Sequence, residues 1–156
     1  MKRTSSIICI VLFVIIPIIL PGCIFDRLQS YEEISNFVFK NKDKLENLIR
    51  DNEGFDKSVS FDYKKYLGSG TFVESAFSYS TEIIKFYCGG QGMVTASRDC
   101  GFYYSKNDVS YGLEFDECRQ TVEEDGSVTY HAYDGTSYLK TKRICANWFY
   151  YYREWN

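Results

Sequence analysis

The sequence predicts an α+β domain: one N-terminal amphipathic helix packed on an antiparallel β-sheet that contains a three-stranded meander. Three observations predict it. Apolar residues recur at helical spacing after a capping signal at Ser30, the period then switches to two, and two Asp-Gly pairs stand nine residues apart between strand-like segments.

The helix comes first. Ser30-Tyr31-Glu32-Glu33 has the S-x-x-E spacing of a capping box, in which the serine hydroxyl accepts a backbone N–H and the glutamate reaches back to the cap. Ile34, Phe37, Val38, Leu45, Leu48 and Ile49 then fall on one face, and Asn52 and Gly54 stop a helix of about 20 residues. Acidic residues interrupt its basic side, which favours packing on a sheet over lying on a membrane. Next, Val59, Phe61 and Tyr63 alternate with Ser60, Asp62 and Lys64, the mark of a half-buried strand. Residues 82–88 read as a strand ended by Gly89-Gly90-Gln91-Gly92, and residues 101–105 as another ended by Lys106-Asn107-Asp108.

Asp125-Gly126 and Asp134-Gly135 each suit a two-residue type I′ turn, which needs positive φ at both positions. Strands over 118–124, 127–133 and 136–142 follow, with residue 124 opposite 127 and 133 opposite 136. That register puts Thr121, Tyr130 and Leu139 on one face, and Gln120, His131 and Tyr138 in one row on the other. The last segment, residues 144–152, is aromatic on both faces, the pattern of a central strand.

Ahead of this domain, Met1-Lys2-Arg3 is a short cationic start, and residues 7–25 carry no charge. That is the layout of a secretory signal, and the run also has the minimum length of a transmembrane helix. Leu20-Pro21-Gly22-Cys23 at its end resembles the lipobox of bacterial lipoprotein precursors. The resemblance implies cleavage after Gly22 and lipidation of the Cys23 thiol, with palmitate among the acyl groups. Residues 1–22 are then a targeting segment and 23–156 a single extracytoplasmic domain, lipid-anchored to the cell membrane. The alternative is an uncleaved N-terminal anchor helix, which Pro17 and Pro21 would both disturb.

All 21 acidic residues but only 16 of the 18 basic ones follow residue 22, so the domain is net acidic. Its basic residues cluster no further than Lys140, Lys142 and Arg143, which argues against nucleic acid. Four cysteines remain after Cys9 and Cys23 are assigned to targeting: Cys88, Cys100, Cys118 and Cys145. An even count outside the cell permits two disulfides in three connectivities, and no C-x₂-C zinc pair is present. Buried thiols are the alternative. No cofactor or metal is implied.

The chemistry-bearing motifs are few. The glycine-rich stretch 89–92 lacks the Lys-Ser or Lys-Thr of a phosphate loop and reads as a turn. His131 is the single histidine, too little for a multi-histidine metal site, and the expected register places no carboxylate or nucleophile directly opposite it. Glu114, Asp116 and Glu117, then Glu123, Glu124 and Asp125, form acidic clusters that read as solvated surface. The aromatic C-terminus supplies the candidate binding residues Trp148, Tyr150, Tyr152 and Trp155, since tyrosine and tryptophan dominate recognition hot spots. Fourteen tyrosines are hard to bury together, because each hydroxyl wants a partner.

Residues 84–92, 101–108 and 144–151 resemble small uncharacterised lipoproteins of Gram-positive bacteria, a group that implies an address and no activity. The expected function is therefore a membrane-anchored, non-enzymatic binding or interaction module, with an envelope protein or glycan as partner. The alternative is a cell-envelope or polysaccharide hydrolase using a carboxylate pair.

Overall fold

The structure, a computed structural model, describes residues 27–52, 58–93, 96–115 and 118–156. The targeting segment, Cys23, Gly54, Asp116 and Glu117 lie outside the described residues. Two helices come first, α1 (Tyr31–Lys40) and α2 (Lys42–Asp51), followed by the single turn α3 (Lys64–Leu67). Seven strands follow: β1 (Ser75–Ser80), β2 (Ile83–Met93), β3 (Ala96–Ser105), β4 (Arg119–Val122), β5 (Val128–His131), β6 (Tyr138–Cys145) and β7 (Trp148–Trp155). They form one antiparallel sheet in the order β1-β2-β3-β7-β6-β5-β4. The class is α+β, with few helices and a sheet that dominates.

The helical stripe runs through two consecutive helices instead of one. Glu33 N–H donates to Ser30 Oγ, and Ser30 N–H donates to Glu33 Oε2, closing the capping box before α1. Asn41 leaves the helical ψ range, and its side-chain amide donates to the Phe37 carbonyl, as a short polar side chain that competes for backbone partners does. The stripe stays aligned across this break. Ile34, Val38, Leu45 and Leu48 are wholly buried against Phe86, Phe102 and Trp148 of the sheet. Each such aliphatic side chain contributes roughly 1.5–3 kcal/mol relative to exposure.

Strand β7 holds the middle position of the seven, and its residues alternate between two cores. Trp148 enters the helix-side core, while Phe149 and Tyr151 enter a second one with Ile83, Tyr103, Leu113, Phe115, Tyr130 and Leu139. The second core is roofed by residues 106–115, from the stretch of chain between β3 near the centre and β4 at the far edge. Gly101 makes room beneath Tyr151. A Cβ there would sit 2.8 Å from Tyr151 Oη and collide with the Phe86 carbonyl oxygen.

Several sequence expectations need correction. Residues 144–152 are not one strand: the chain reverses at Ala146-Asn147, with Cys145 facing Trp148 and Asn147 at φ 67°. The stretch 89–92 does not end β2. It continues the strand past a bulge between Tyr87 and Gly90, with Gly89 at φ 132° and Gly92 at φ 142°. Val59 to Tyr63 contribute only an isolated bridge, Ser60 to Phe77.

The two Asp-Gly turns differ. Tyr130 faces Leu139 and His131 faces Tyr138 in the second hairpin, the expected register. The first is shifted by one residue, with Thr121 facing Thr129 and Gln120 facing Tyr130. Only the glycines have positive φ, 75° at Gly126 and 71° at Gly135. Glu123 N–H donates to the Ser127 carbonyl and Gly126 N–H to that of Glu123, a three-residue loop with a left-handed glycine. One extra loop residue moves every side chain of β4 to the other face.

Candidate binding face

The helices cover β1, β2, β3, the start of β7 and the end of β6 at Ile144, and leave the rest of that face outside the helix-side core. Register then decides what that face shows. Across β7 and β6, Tyr150 faces Lys142, Tyr152 faces Lys140, and Glu154 faces Tyr138. His131 and then Arg119 extend the Tyr138 row toward the β4 edge. The result is a half-buried aromatic strip of Tyr150, Tyr152, Tyr138 and His131. Ring centroids are 6.0 Å apart for Tyr138–Tyr152 and 6.3 Å for His131–Tyr138, while Tyr31 of α1 packs edge-on against Tyr150 at 5.7 Å.

One carboxylate organises the strip. Glu154 Oε2 accepts from Tyr152 Oη at 3.0 Å and from Tyr138 Oη at 3.3 Å, and pairs with Arg98 Nε at 3.1 Å. These bonds, that from Tyr152 above all, hold the Glu154 carboxyl below its usual range. Burial pushes the Tyr150, Tyr152 and Tyr138 phenols upward, so they remain neutral donors at any physiological pH. Lys142 lies 4.9 Å over the Tyr31 ring and 3.0 Å from Asp125, and Lys140 stands beside Tyr152. Such a surface offers ring faces, phenolic hydroxyls and flanking cations, the ingredients of a recognition patch.

The four aromatic candidates do not share one surface. Tyr150 and Tyr152 lie on this strip. Trp148 is 1% exposed and packed against Phe86, Phe102 and Tyr104, because both faces of the sheet are covered where β7 begins. It has no surface to offer a partner. Trp155 points to the opposite face, as strand alternation from residue 152 requires, and stacks on Phe115 at 5.1 Å beneath Arg153. Tyr138 and His131 were not among the candidates, although the Asp134-Gly135 register already set them side by side.

Among the described residues, Cys88, Cys100, Cys118 and Cys145 are not joined by a disulfide. Cys88 and Cys100 are buried in the helix-side core, where the Gln29 N–H donates to Cys100 Sγ at 3.2 Å. Cys145 packs against that core and Cys118 against the other, so the sheet separates Cys118 from the other three.

The acidic clusters disperse likewise. Asp125 accepts from Ser127 and Lys142 at its turn, and Glu123 accepts from Thr129. Glu114 instead reaches two cations, the buried Lys85 Nζ at 2.8 Å and the part-buried Arg153 at 2.9 Å, and Arg153 also clasps Asp99 at 2.6 Å. Burial pulls the Glu114 carboxyl up, but Lys85 and Arg153 outweigh it and leave it lowered. Burial raises Asp99 and lowers Lys85. Both carboxylates are thus neutralised by cations, and Lys85 is 2% exposed, so the quartet pins the chain around Glu114 to the sheet. Among the described residues no group of three or more His, Cys, Asp or Glu is placed to hold a metal, and no helix is long and apolar enough to cross a membrane. No family model, curated protein or solved structure matches the chain.

Proposed function

We propose that the chain is a membrane-anchored extracytoplasmic lipoprotein acting as a non-enzymatic binding module, lipidated at Cys23 and presenting the Tyr138–Tyr150–Tyr152 strip to an envelope protein or glycan. The observation that carries the binding reading is that strip: two phenols, Tyr138 and Tyr152, held by Glu154 beside the ring of Tyr150, all half-buried. Ordered rings at a solvent boundary are costly to leave idle and effective as anchors. The address rests on the lipobox resemblance of Leu20-Pro21-Gly22-Cys23.

Crosslinked pull-down from intact cells expressing the anchored protein tests the module. Tyr152→Ala and Tyr138→Ala are expected to lose the captured partner while the fold stays intact, and capture equal to wild type refutes the assignment of this face. Cys23→Ala should abolish radiolabelled palmitate incorporation, and equal labelling refutes the anchor. A polymer-degrading activity of the purified protein, lost in Asp116→Asn or Glu124→Gln, would replace this reading with the hydrolase.

A further inference from the structure

The two edges of the sheet differ in how they are finished. Along β1 the chain lays a covering segment: Ser58 N–H donates to the Ser78 carbonyl, Ser78 N–H to that of Val59, and Phe61 N–H to that of Ala76. The other edge, β4, is the last strand in the order, and all four of its residues are exposed. Edge strands are commonly kept from pairing by a lysine, a proline, a bulge or a covering segment. Arg119-Gln120-Thr121-Val122 has no lysine or proline, and its register against β5 runs without a shift.

Hydrogen bonding decides which groups this edge offers. Glu123 N–H donates to the Ser127 carbonyl, so Glu123 turns its backbone toward β5. Alternation along an antiparallel ladder turns Thr121 and Arg119 the same way, opposite Thr129 and His131. The second hairpin agrees. Ala132 N–H donates to the Ser137 carbonyl, so Tyr130 and Val128 face β6 and leave Thr129 and His131 to β4. What points away from the sheet is the N–H and carbonyl of Gln120 and of Val122, the latter residue 74% exposed.

A strand added here must present its own outward groups opposite residues 120 and 122, with side chains that suit those of β4. A second β4, antiparallel and related by a two-fold axis through Thr121, meets both conditions. Gln120 of each copy then exchanges two hydrogen bonds with Val122 of the other, and Thr121 faces its own copy as a non-hydrogen-bonded pair. The same register sets Arg119 of each copy opposite Glu123 of the other. Among the described residues neither side chain is in an ion pair within its own chain. Glu123 Oε1 accepts from Thr129, which leaves the other carboxylate oxygen for the guanidinium. We propose that β4 pairs edge to edge with β4 of a second copy, joining two seven-stranded sheets into one. Because the axis is perpendicular to the sheet, the two tyrosine strips lie on the same face of the dimer. A contact between four-residue strands is small, so the dimer is weak in dilute solution and gains from a shared membrane, a gain that rests on the Cys23 anchor.

Disulfide trapping in the concentrated full chain in detergent tests the pairing. Thr121→Cys brings two thiols together at a Cα separation of about 4.5 Å, within disulfide range. Val122→Cys is the control, since its copy lies about 7 Å along the partner strand and out of range. Under copper-phenanthroline oxidation Thr121→Cys should form covalent dimer about tenfold or more faster than Val122→Cys, each counted above wild type, which retains Cys118. In the Thr121→Cys background, Arg119→Glu and Glu123→Arg should each slow trapping about tenfold, because each sets like charges opposite one another at both ends of the contact. Mixing the two charge-reversed chains, differently tagged, restores opposite charges at both ends, so trapping should recover as heterodimer. Trapping of Thr121→Cys no faster than Val122→Cys, no slowing by either charge reversal, or no recovery on mixing would each overturn the pairing. Tyr152→Ala should leave trapping unchanged, so failure of this edge and failure of the tyrosine strip are separable.

Discussion

Glu114→Gln removes one negative charge from between the buried Lys85 and the part-buried Arg153 while keeping the side chain's length and shape. The Lys85 ammonium, on a side chain only 3% exposed, would lose its partner at 2.8 Å. With an effective dielectric near 20, a pair at that distance is worth about 6 kcal/mol before discounting. Glu114 is one-third exposed, so solvent screening removes roughly half of that. The expected loss is about 3 kcal/mol, the low end for breaking a buried pair. Lys85→Met acts differently. It abolishes the desolvation cost of the ammonium, keeps a stem of similar volume over the Tyr151 and Phe77 rings, and leaves Glu114 paired to Arg153. Its cost should stay under about 1 kcal/mol in either direction. Urea unfolding followed by Trp148 emission reads both, and at a slope of about 2 kcal/mol/M the Glu114→Gln midpoint should fall by about 1.5 M. A Lys85→Met loss equal to or larger than that of Glu114→Gln would refute the reasoning, because it would mean that the buried cation itself stabilises the fold.

Tyr151 Oη is buried with no hydrogen-bond partner, so Tyr151→Phe should leave stability unchanged or raise it by about 1 kcal/mol; a loss above that size would reveal a hidden partner. Trp148→Ala should cost about 3–5 kcal/mol by cavity formation, against about 1 kcal/mol for the part-exposed Trp155→Ala, and thermal unfolding of the two variants separates these values. Burial raises the Cys88 thiol well above its ordinary value and Cys100 to about 11, so a maleimide mapped by mass spectrometry at pH 8 should modify Cys118 and Cys145 first and reach the other two only on unfolding. Hydrogen bonds from Arg143, from Ser127 and from Thr136 hold Asp108, Asp125 and Asp134 respectively below their usual range. Below about pH 4 the unfolded chain therefore takes up protons that the folded chain refuses, so stability present at pH 5 is lost as the pH falls, and the acid limb of Asp125→Asn should be shallower than that of wild type.

Local rules were legible wherever a few neighbouring residues suffice. The capping box depends on Ser30 and Glu33 alone, and the register of the second hairpin on the residues around Asp134-Gly135. The first hairpin shows how thin that margin is: an Asp-Gly pair sits in a three-residue loop there and in a four-residue loop between Ala132 and Ser137 in the second, and sterics within the turn do not choose between them. Ala146-Asn147 turned the chain with no glycine to mark it, although asparagine tolerates the left-handed region better than most residues. The glycines of 89–92 looked like a stop because a bulge and a turn use the same conformational freedom.

The sequence by itself determined the class of the domain and the aromatic character of β7, since periodicity and side-chain volume are properties of the chain. Tertiary structure alone decided which of those aromatics face solvent. Pairing β3 with β7 placed the C-terminal strand at the centre, laid residues 106–115 on one face, and brought Glu114 to Lys85 and Arg153. It also buried Trp148, left Tyr150 and Tyr152 beside Tyr138, and put Trp155 on the other side. Whether a strand face is covered depends on segments tens of residues away, whose closure is governed by the whole core rather than by any local pattern.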